Sequence, residues 1–356
     1  MADFDYGNAR LRAMKSRLLT RPALEELAGA ENMPVLINAL LKTPYREAVE
    51  AALVQYTGAE IITQARRNNL IHTVSKVRHF YSGESAELTR WVLRRYDVDN
   101  VKAILRGLTQ QVPADEIQAS TLPIGELQPA DLETLARLAN TRAAIDVLAT
   151  WRFPLAQLLL ALRAEKAGGD LFTMELALEQ WYFRAAMTAT KEDGESLRQS
   201  LRLQADIMNI LTALRLVGDT EAAAFLRQRF DAADATPLFI GPGHVAFALL
   251  SEAAKQESVW RAVEVFAHTS YGPMLAEALS QYQVTYRLSD FEYALQYRQL
   301  KQAVNLLIRD PLGIGVLIGY IALKTNELAN LHRIVQGVNR GEAANRIRAE
   351  LMLVNA

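Results

Sequence analysis

The chain has 356 residues, half of them hydrophobic, and its 39 Lys and Arg are balanced by 40 Asp and Glu. This length exceeds what one hydrophobic core usually supports, and the near-zero net charge argues against a nucleic-acid binder that works by bulk charge. The absence of cysteine excludes disulfides, thiolate metal sites and a cysteine nucleophile. With no secretory pattern at the N-terminus and no apolar run longer than residues 312–323, a soluble protein is expected.

The first third of the chain is dominated by helical patterns. Residues 6–19 have the apolar stripe of an amphipathic helix. A polar cap followed by proline in the first turn predicts that three short helices start at Thr20, Asn32 and Thr43. Residues 46–81 are predicted to be helical with one or two breaks, and the helix that follows a turn at Ser82 is predicted to end at Gly107.

Two segments rich in proline and glycine, 110–129 and 231–243, predict boundaries. Between them, with a break at Gly168 and Gly169, the patterns predict helices over 131–148, 154–166, 174–190 and 196–216. After the second boundary they predict helices over 244–269, 274–284 and 290–309, and a last one opened by Asp310 and Pro311. Because no alternating strand pattern is found, the fold class is predicted to be all-α.

One polar set recurs along the chain. An acid is followed three residues later by asparagine and nine residues later by Arg or Gln, and the three sets are Asp97/Asn100/Arg106, Asp206/Asn209/Arg215 and Glu327/Asn330/Gln336. A truncated set, Asp5 and Asn8, opens the chain. The spacing of the acids predicts three divergent copies of one helical unit, with domains over roughly 1–112, 113–225 and 226–356.

The recurring set has two interpretations. On a helix, residues three apart are neighbours, so Asp97 and Asn100 could bond each other while Arg106 faces another helix. Such groups suit a polar seam between helices of one domain. The alternative is a rim that faces a partner protein.

Basic residues are concentrated in 51–106, which holds nine Lys and Arg against five acids. One interpretation is a solvated helix surface, and the other is a docking face for an acidic partner or for lipid headgroups. The candidate partner-binding residues are Arg66, Arg67, Arg90, Arg94 and Arg95. Reversing four of them, Arg66, Arg67, Arg94 and Arg95, to Glu is expected to leave the fold intact and to weaken binding.

Motifs for catalysis are missing. No phosphate-binding loop occurs, and the glycines at 313, 315 and 319 have the wrong spacing for a dinucleotide loop and suit tight helix packing. The five histidines never occur as His-x-x-x-His, and although His72 and His79 could share a helix face two turns apart, a helix surface next to Arg78 explains them as well. No catalytic, cofactor-binding or metal-binding residue is therefore predicted.

Three segments of the chain resemble the signatures of a known protein family, and they occur in the same order as in that family. They are Tyr6–Arg12 with Ser16–Leu19; Tyr96-Asp97-x-x-Asn100 through Arg106-Gly107; and Pro311, Gly315, Tyr320 and Lys324 with Glu327-x-x-Asn330 through Gly337. Together they resemble the C subunit of archaeal and bacterial V/A-type ATPases, whose counterpart in eukaryotic vacuolar ATPases is the d subunit. Thr325 departs from the pattern, because the family commonly has Glu after the lysine.

The resemblance implies three similar helical domains around a pseudo-threefold axis, which form a funnel. It implies a non-catalytic rotor protein on the cytoplasmic face of the membrane, peripheral to it, that couples the central shaft to the membrane proteolipid ring and transmits torque for proton or sodium transport. Neither cofactor, small-molecule substrate nor nucleic acid is expected.

Two other classes of protein are the alternatives. An α-helical repeat scaffold that binds regulatory proteins or peptides would show repeats of about 34 to 47 residues, and none is found. An all-α enzyme would need a ligand or acid–base set, which is also missing.

Overall fold

The computed structural model describes residues 3–164, 170–190, 194–241 and 243–354. In these ranges the chain forms 19 α-helices, joined by turns and short 3₁₀ segments, and no strand. The all-α prediction is confirmed. The predicted break at Gly168 and Gly169 lies outside the described residues.

After a first helix, α1 (Asp5–Lys15), helices of similar relative length follow in the same order three times. The first series is α2 (Arg21–Leu27), α3 (Met33–Leu40), α4 (Arg46–Leu53), α5 (Ala59–Val74), α6 (Gly83–Thr109) and α7 (Ala114–Ser120). The second is α8 (Pro129–Ala136), α9 (Thr141–Thr150), α10 (Ala156–Ala164), α11 (Leu171–Ala189), α12 (Glu195–Leu216) and α13 (Ala222–Phe230). The third is α14 (Phe247–Ala254), α15 (Val259–Val265), α16 (Gly272–Thr285), α17 (Ser289–Arg309), α18 (Gly315–Asn339) and α19 (Ala344–Glu350).

Side-chain caps fix where the second helix of each series begins. The side chains of Asn32, Asn140 and Ser258 each accept a hydrogen bond from the backbone N–H three residues later. This satisfies one of the donors that a helix start leaves without a partner. The caps at Asn140 and Ser258 also correct two predictions, because 131–148 and 244–269 each form two helices and not one.

The predicted helix end at Gly107 is wrong, because α6 continues to Thr109. A Cβ on Gly107 would lie 2.5 Å from a side-chain carbon of Ile117 in α7. The glycine therefore serves close helix packing and not termination. Gly337 and Ile347 repeat this contact between α18 and α19, where the corresponding distance is 2.6 Å.

The chain divides into two compact units. Unit 1 comprises Met1–Asp97, Leu122–Leu127 and Leu300–Ala356, and unit 2 comprises Val98–Thr121 and Gln128–Gln299. Neither unit is continuous in sequence. Two of the four boundaries between them fall within α6 and α17, and the other two lie between α7 and α8. The predicted ranges 1–112, 113–225 and 226–356 concern internal similarity and stay a prediction.

In each unit, a core joins the first four helices of one series to the last two of another. In unit 1, residues of α2 to α5 pack against residues of α18 and α19, and Leu36, Ile62 and Ile334 are fully buried. In unit 2, residues of α14 to α17 pack against residues of α12 and α13. Residues far apart in the chain are therefore required for each core.

Among the described residues, no helix combines the length and the apolar character needed to cross a membrane.

Candidate functional site

The acid of the first recurring set binds the backbone ahead of the second helix series. Asp97 is fully buried, and its two carboxylate oxygens accept hydrogen bonds from the N–H groups of Glu126 (2.8 Å) and Leu127 (3.0 Å). These two residues come just before α8. The carboxylate thereby holds the segment that leads into the new series, and the two N–H groups satisfy a buried charge.

The second acid makes the same contact ahead of the third series. Asp206 is also fully buried and accepts the N–H groups of His244 and Val245, both at 2.9 Å, just before α14. It accepts a third hydrogen bond from Tyr271 Oη at 2.8 Å. Burial and the neighbouring carboxylate raise the pKa of Tyr271, so the phenol remains a donor.

The third acid accepts hydrogen bonds from the N-terminal part of the chain. Glu327 accepts the N–H of Leu19 (2.5 Å), just before α2, and the hydroxyl of Tyr45 (2.6 Å). Lys324 donates both to Glu327 (2.6 Å) and to Tyr45 Oη (3.0 Å), and the Lys–Glu pair is only 4% exposed. Burial lowers the pKa of Lys324, while burial and the Glu327 carboxylate raise that of Tyr45. We call these three arrangements, at Asp97, Asp206 and Glu327, the acid clasps.

The tyrosines of two acid clasps occupy corresponding positions. Tyr45 and Tyr271 each lie 13 residues after the cap of the second helix in their series. In the remaining series that position is Phe153, which carries no hydroxyl.

Two asparagines of the sets each bind both polar groups of one peptide residue. Asn209 donates to the carbonyl of Ile240 and accepts from its N–H, at 2.6 and 2.7 Å. Asn330 does the same with Met352, both at 2.9 Å. Asn100 is likewise buried. In the truncated set, Asn8 donates to the carbonyl of Gly313 and accepts from Tyr81 Oη. An amide side chain matches a peptide group in both donor and acceptor, so Asn209 and Asn330 satisfy the backbone of segments that lie outside the helices.

The third members of the sets lie nearer the surface. Arg106 forms a bidentate pair with Glu175 of α11, and Arg215 pairs with Glu292 of α17. Both arginine side chains are about half exposed, so each pair contributes only about 0–1 kcal/mol. Gln336 is half-buried. The nine residues of the recurring sets are thus placed mainly in the interior, between segments of this chain.

The raised pKa of Asp97 in the first clasp makes the stability of the protein depend on pH. Burial raises the pKa of Asp97 to about 6, against the opposing effect of its two backbone hydrogen bonds. The folded state therefore binds a proton between pH 4 and 6 that the unfolded state does not, and stability falls as pH rises through this window. We expect the free energy of unfolding contributed by Asp97 to be about 1.4 kcal/mol larger at pH 5 than at pH 7.

This expectation is checked by urea unfolding of the parent and of Asp97→Asn at both pH values. The difference in stability between the two proteins should grow on acidification. The carboxyl resonance of Asp97 should titrate near pH 6 in the folded protein. A resonance that titrates near pH 4 would contradict the expectation.

The five arginines of the basic segment do not form one exposed surface. Arg90 is exposed and pairs with Glu87, whereas Arg66, Arg67 and Arg95 are half-buried. Arg94 is buried, pairs with Glu126, and lies 4.4 Å above the Trp91 ring.

Reversal of these arginines is therefore not expected to leave the fold intact. Arg66 donates to the carbonyl of Leu328 at 2.8 Å, and burial lowers its pKa. A glutamate at 94 would place a carboxylate against Glu126, next to the first clasp. Their role in partner binding stays a prediction, and of the five only Arg90 is exposed.

Unit 1 contains a cleft of about 560 Å³ that the sequence did not indicate. Its cationic lining residues come from four separate parts of the chain. The first part contributes Arg10 and Arg17, and the other three contribute Arg46, Lys76 and Lys324. His72 also lines the cleft, and Glu47 is the one acid among its described lining residues. We call it the basic cleft. Counting charges along the chain could not find it, because only the fold brings these four parts together.

The described residues offer no group of three or more His, Asp or Glu side chains that could hold a metal ion.

Comparison with known proteins identifies what the chain is similar to. The family model for the ATP synthase (C/AC39) subunit matches residues 7–350. The C subunit of the V-type ATP synthase of Deinococcus radiodurans is 25% identical over 350 residues, which cover 98% of this chain and 91% of that protein. The C subunit of the A-type ATP synthase of Haloquadratum walsbyi is 25% identical, with 98% of each chain covered. That of Methanothermobacter thermautotrophicus is 26% identical, with 94% of this chain and 83% of the relative covered.

Proposed function

The chain belongs to the ATP synthase (C/AC39) subunit family, the C subunits of the V/A-type rotary ATPases, and on that premise we propose that it is the socket of the central rotor. In this role it joins the central shaft to the proteolipid ring of the membrane sector. It turns with both and transmits torque between ATP chemistry and the transport of protons or sodium ions.

The chain is a subunit of a rotary ATP synthase complex, and its family is an accessory one and not the catalytic one. The resemblance found in the sequence is thereby confirmed.

The observation that best supports the rotor role is how the third clasp joins distant parts of the chain. Through Glu327 and Asn330, helix α18 binds Leu19, Tyr45 and Met352. Buried, hydrogen-bonded polar groups in a densely packed core resist deformation, because a displacement breaks hydrogen bonds that no water replaces. A protein that transmits torque needs this stiffness.

A rotor socket also needs two polar docking surfaces. Interfaces that assemble from soluble parts rely on complementary charge and shape more than on large apolar areas. On this proposal the chain lies on the cytoplasmic face, peripheral to the membrane, and binds neither nucleic acid nor a small-molecule substrate.

Copurification tests the proposal. The chain, tagged and expressed in its own organism, is isolated from membranes in mild detergent, and its partners are identified by mass spectrometry. Shaft subunits and the proteolipid should be recovered together. Recovery of regulatory proteins without either of them would overturn the proposal in favour of a helical scaffold.

A further inference from the structure

The basic cleft carries an excess of positive charge that the chain itself does not neutralise. Arg10, Arg17 and Lys76 form no ion pair among the described residues. Arg10 instead lies 4.6 Å above the Phe80 ring, and Lys76 lies 2.6 Å from the His72 ring nitrogen. Since the whole chain has a net charge of −1, this concentration is local and not part of a general basic character.

The lining of the cleft is partly apolar and partly polar. Met14, Leu18 and Pro44 contribute apolar side chains. The buried Tyr45 and Lys324 also line it, and two of the three Lys324 donors are used on Tyr45 and Glu327. The cleft can therefore take an apolar side chain together with hydrogen-bond acceptors.

The cations of the cleft come from separate parts of the chain. Arg10 lies in α1, Arg17 lies two residues beyond its end, and Lys76 follows α5. The volume of the cleft falls within the range of about 300–1,000 Å³ typical of sites that bury a ligand. An elongated ligand with several negative charges and an apolar group fits this arrangement better than a single phosphate.

We propose that the basic cleft binds an acidic polypeptide segment of another subunit of the same complex, with an apolar side chain against its apolar lining and carboxylates on Arg10, Arg17 and Lys76. The inference rests on the proposed function, because it takes the partner from the assembled complex. Complementary charge at such a site speeds association and selects the partner.

Cross-linking in the assembled complex tests the occupant. A photo-reactive p-benzoylphenylalanine replaces His72, which is exposed at the cleft, and the complex is purified from native membranes and irradiated. The matched control places the same group at Lys301, which is exposed in unit 1 outside the cleft. We expect the His72 position, and not the control, to cross-link to one segment of a partner protein that carries several Asp or Glu residues.

Three results would overturn the inference while leaving the proposed function intact, provided that shaft and ring subunits copurify. They are the absence of a polypeptide cross-link, a cross-link to lipid, and a cross-link to a segment without acids. Loss of the shaft and ring subunits from the parent preparation would count against the proposed function itself.

Charge reversal supplies a second measurement. Arg17→Glu with Lys76→Glu is compared with Lys301→Glu and Arg309→Glu, a control of equal charge change at exposed positions outside the cleft. The cleft variant should dissociate from the complex about tenfold more readily than the control, and the parent should dissociate more readily as salt rises. Equal retention of the two variants, both with parental melting temperatures, would contradict the inference.

Discussion

Replacing Glu327 by Gln is expected to lower the free energy of unfolding of unit 1 by about 3–5 kcal/mol, because it leaves the buried Lys324 ammonium without its counter-charge. The Gln amide can also accept at only one of the two oxygen positions, so its NH2 group faces either the Leu19 N–H or the Lys324 and Tyr45 donors. The effect is measured by urea unfolding, and the exchange of backbone amide hydrogens in α18 is used to monitor unit 1. The control is Glu50→Gln, since Glu50 pairs with Arg46 at the surface, where loss of the pair is expected to cost less than about 1 kcal/mol.

A double variant separates charge from packing. Lys324→Met removes the ammonium and keeps most of the side-chain volume, so Glu327→Gln in that background should cost clearly less than in the parent. A coupling of this kind identifies the buried pair as the cause. Equal costs in both backgrounds would show that Glu327 acts through the Leu19 N–H and the Tyr45 hydroxyl alone.

Helix type and several helix starts are predictable because their causes are local. A cap such as Asn32 and the proline that follows determine a start within four residues. The two helices within 131–148 are divided by Asn140, an equally local cap that no proline accompanies. Gly107 does not mark a helix end, because a glycine is required for close packing as well as for chain reversal, and only the tertiary contact with Ile117 distinguishes these.

The recurring set is visible in the sequence, but its partners are not. Asp97, Asp206 and Asn330 bind backbone groups, and a backbone N–H leaves no trace in residue identity. Their partners lie 22 to 39 residues away in the chain. Spacing alone therefore indicates a repeated helical element without showing what it holds.

For the basic segment, the sequence suggests an exposed surface that the described residues do not form. Arginines crowded within 66–95 suggest a surface, yet Arg94 packs inside the fold and Arg66 binds a backbone carbonyl. Three cations that form no ion pair among the described residues, Arg10, Arg17 and Lys76, lie in the basic cleft. Local charge density predicts exposure poorly, because the guanidinium group suits internal pairing as well as solvent.

The length of the acid side chain in each clasp correlates with the residue that precedes the first N–H it binds. Where the acid is Asp, a glycine precedes the first N–H that it binds: Gly125 before Glu126, and Gly243 before His244. Where the acid is Glu, one methylene longer, Leu18 stands at that place, before Leu19. The short acid reaches the segment only if the backbone approaches it closely, and only glycine permits that approach.

Gly125→Ala is accordingly expected to lower the free energy of unfolding by about 2–4 kcal/mol, since its Cβ would lie 2.2 Å from a carboxylate oxygen of Asp97. The segment has to move, and the buried Asp97 then loses its two backbone donors. The decisive comparison is Gly125→Ala in an Asp97→Ala background, where the space is free and the added cost should fall below about 1 kcal/mol. The three variants and the parent are compared by urea unfolding at pH 7. If Gly125→Ala costs the same in both backgrounds, the glycine serves the conformation of its own segment and not the approach to the carboxylate.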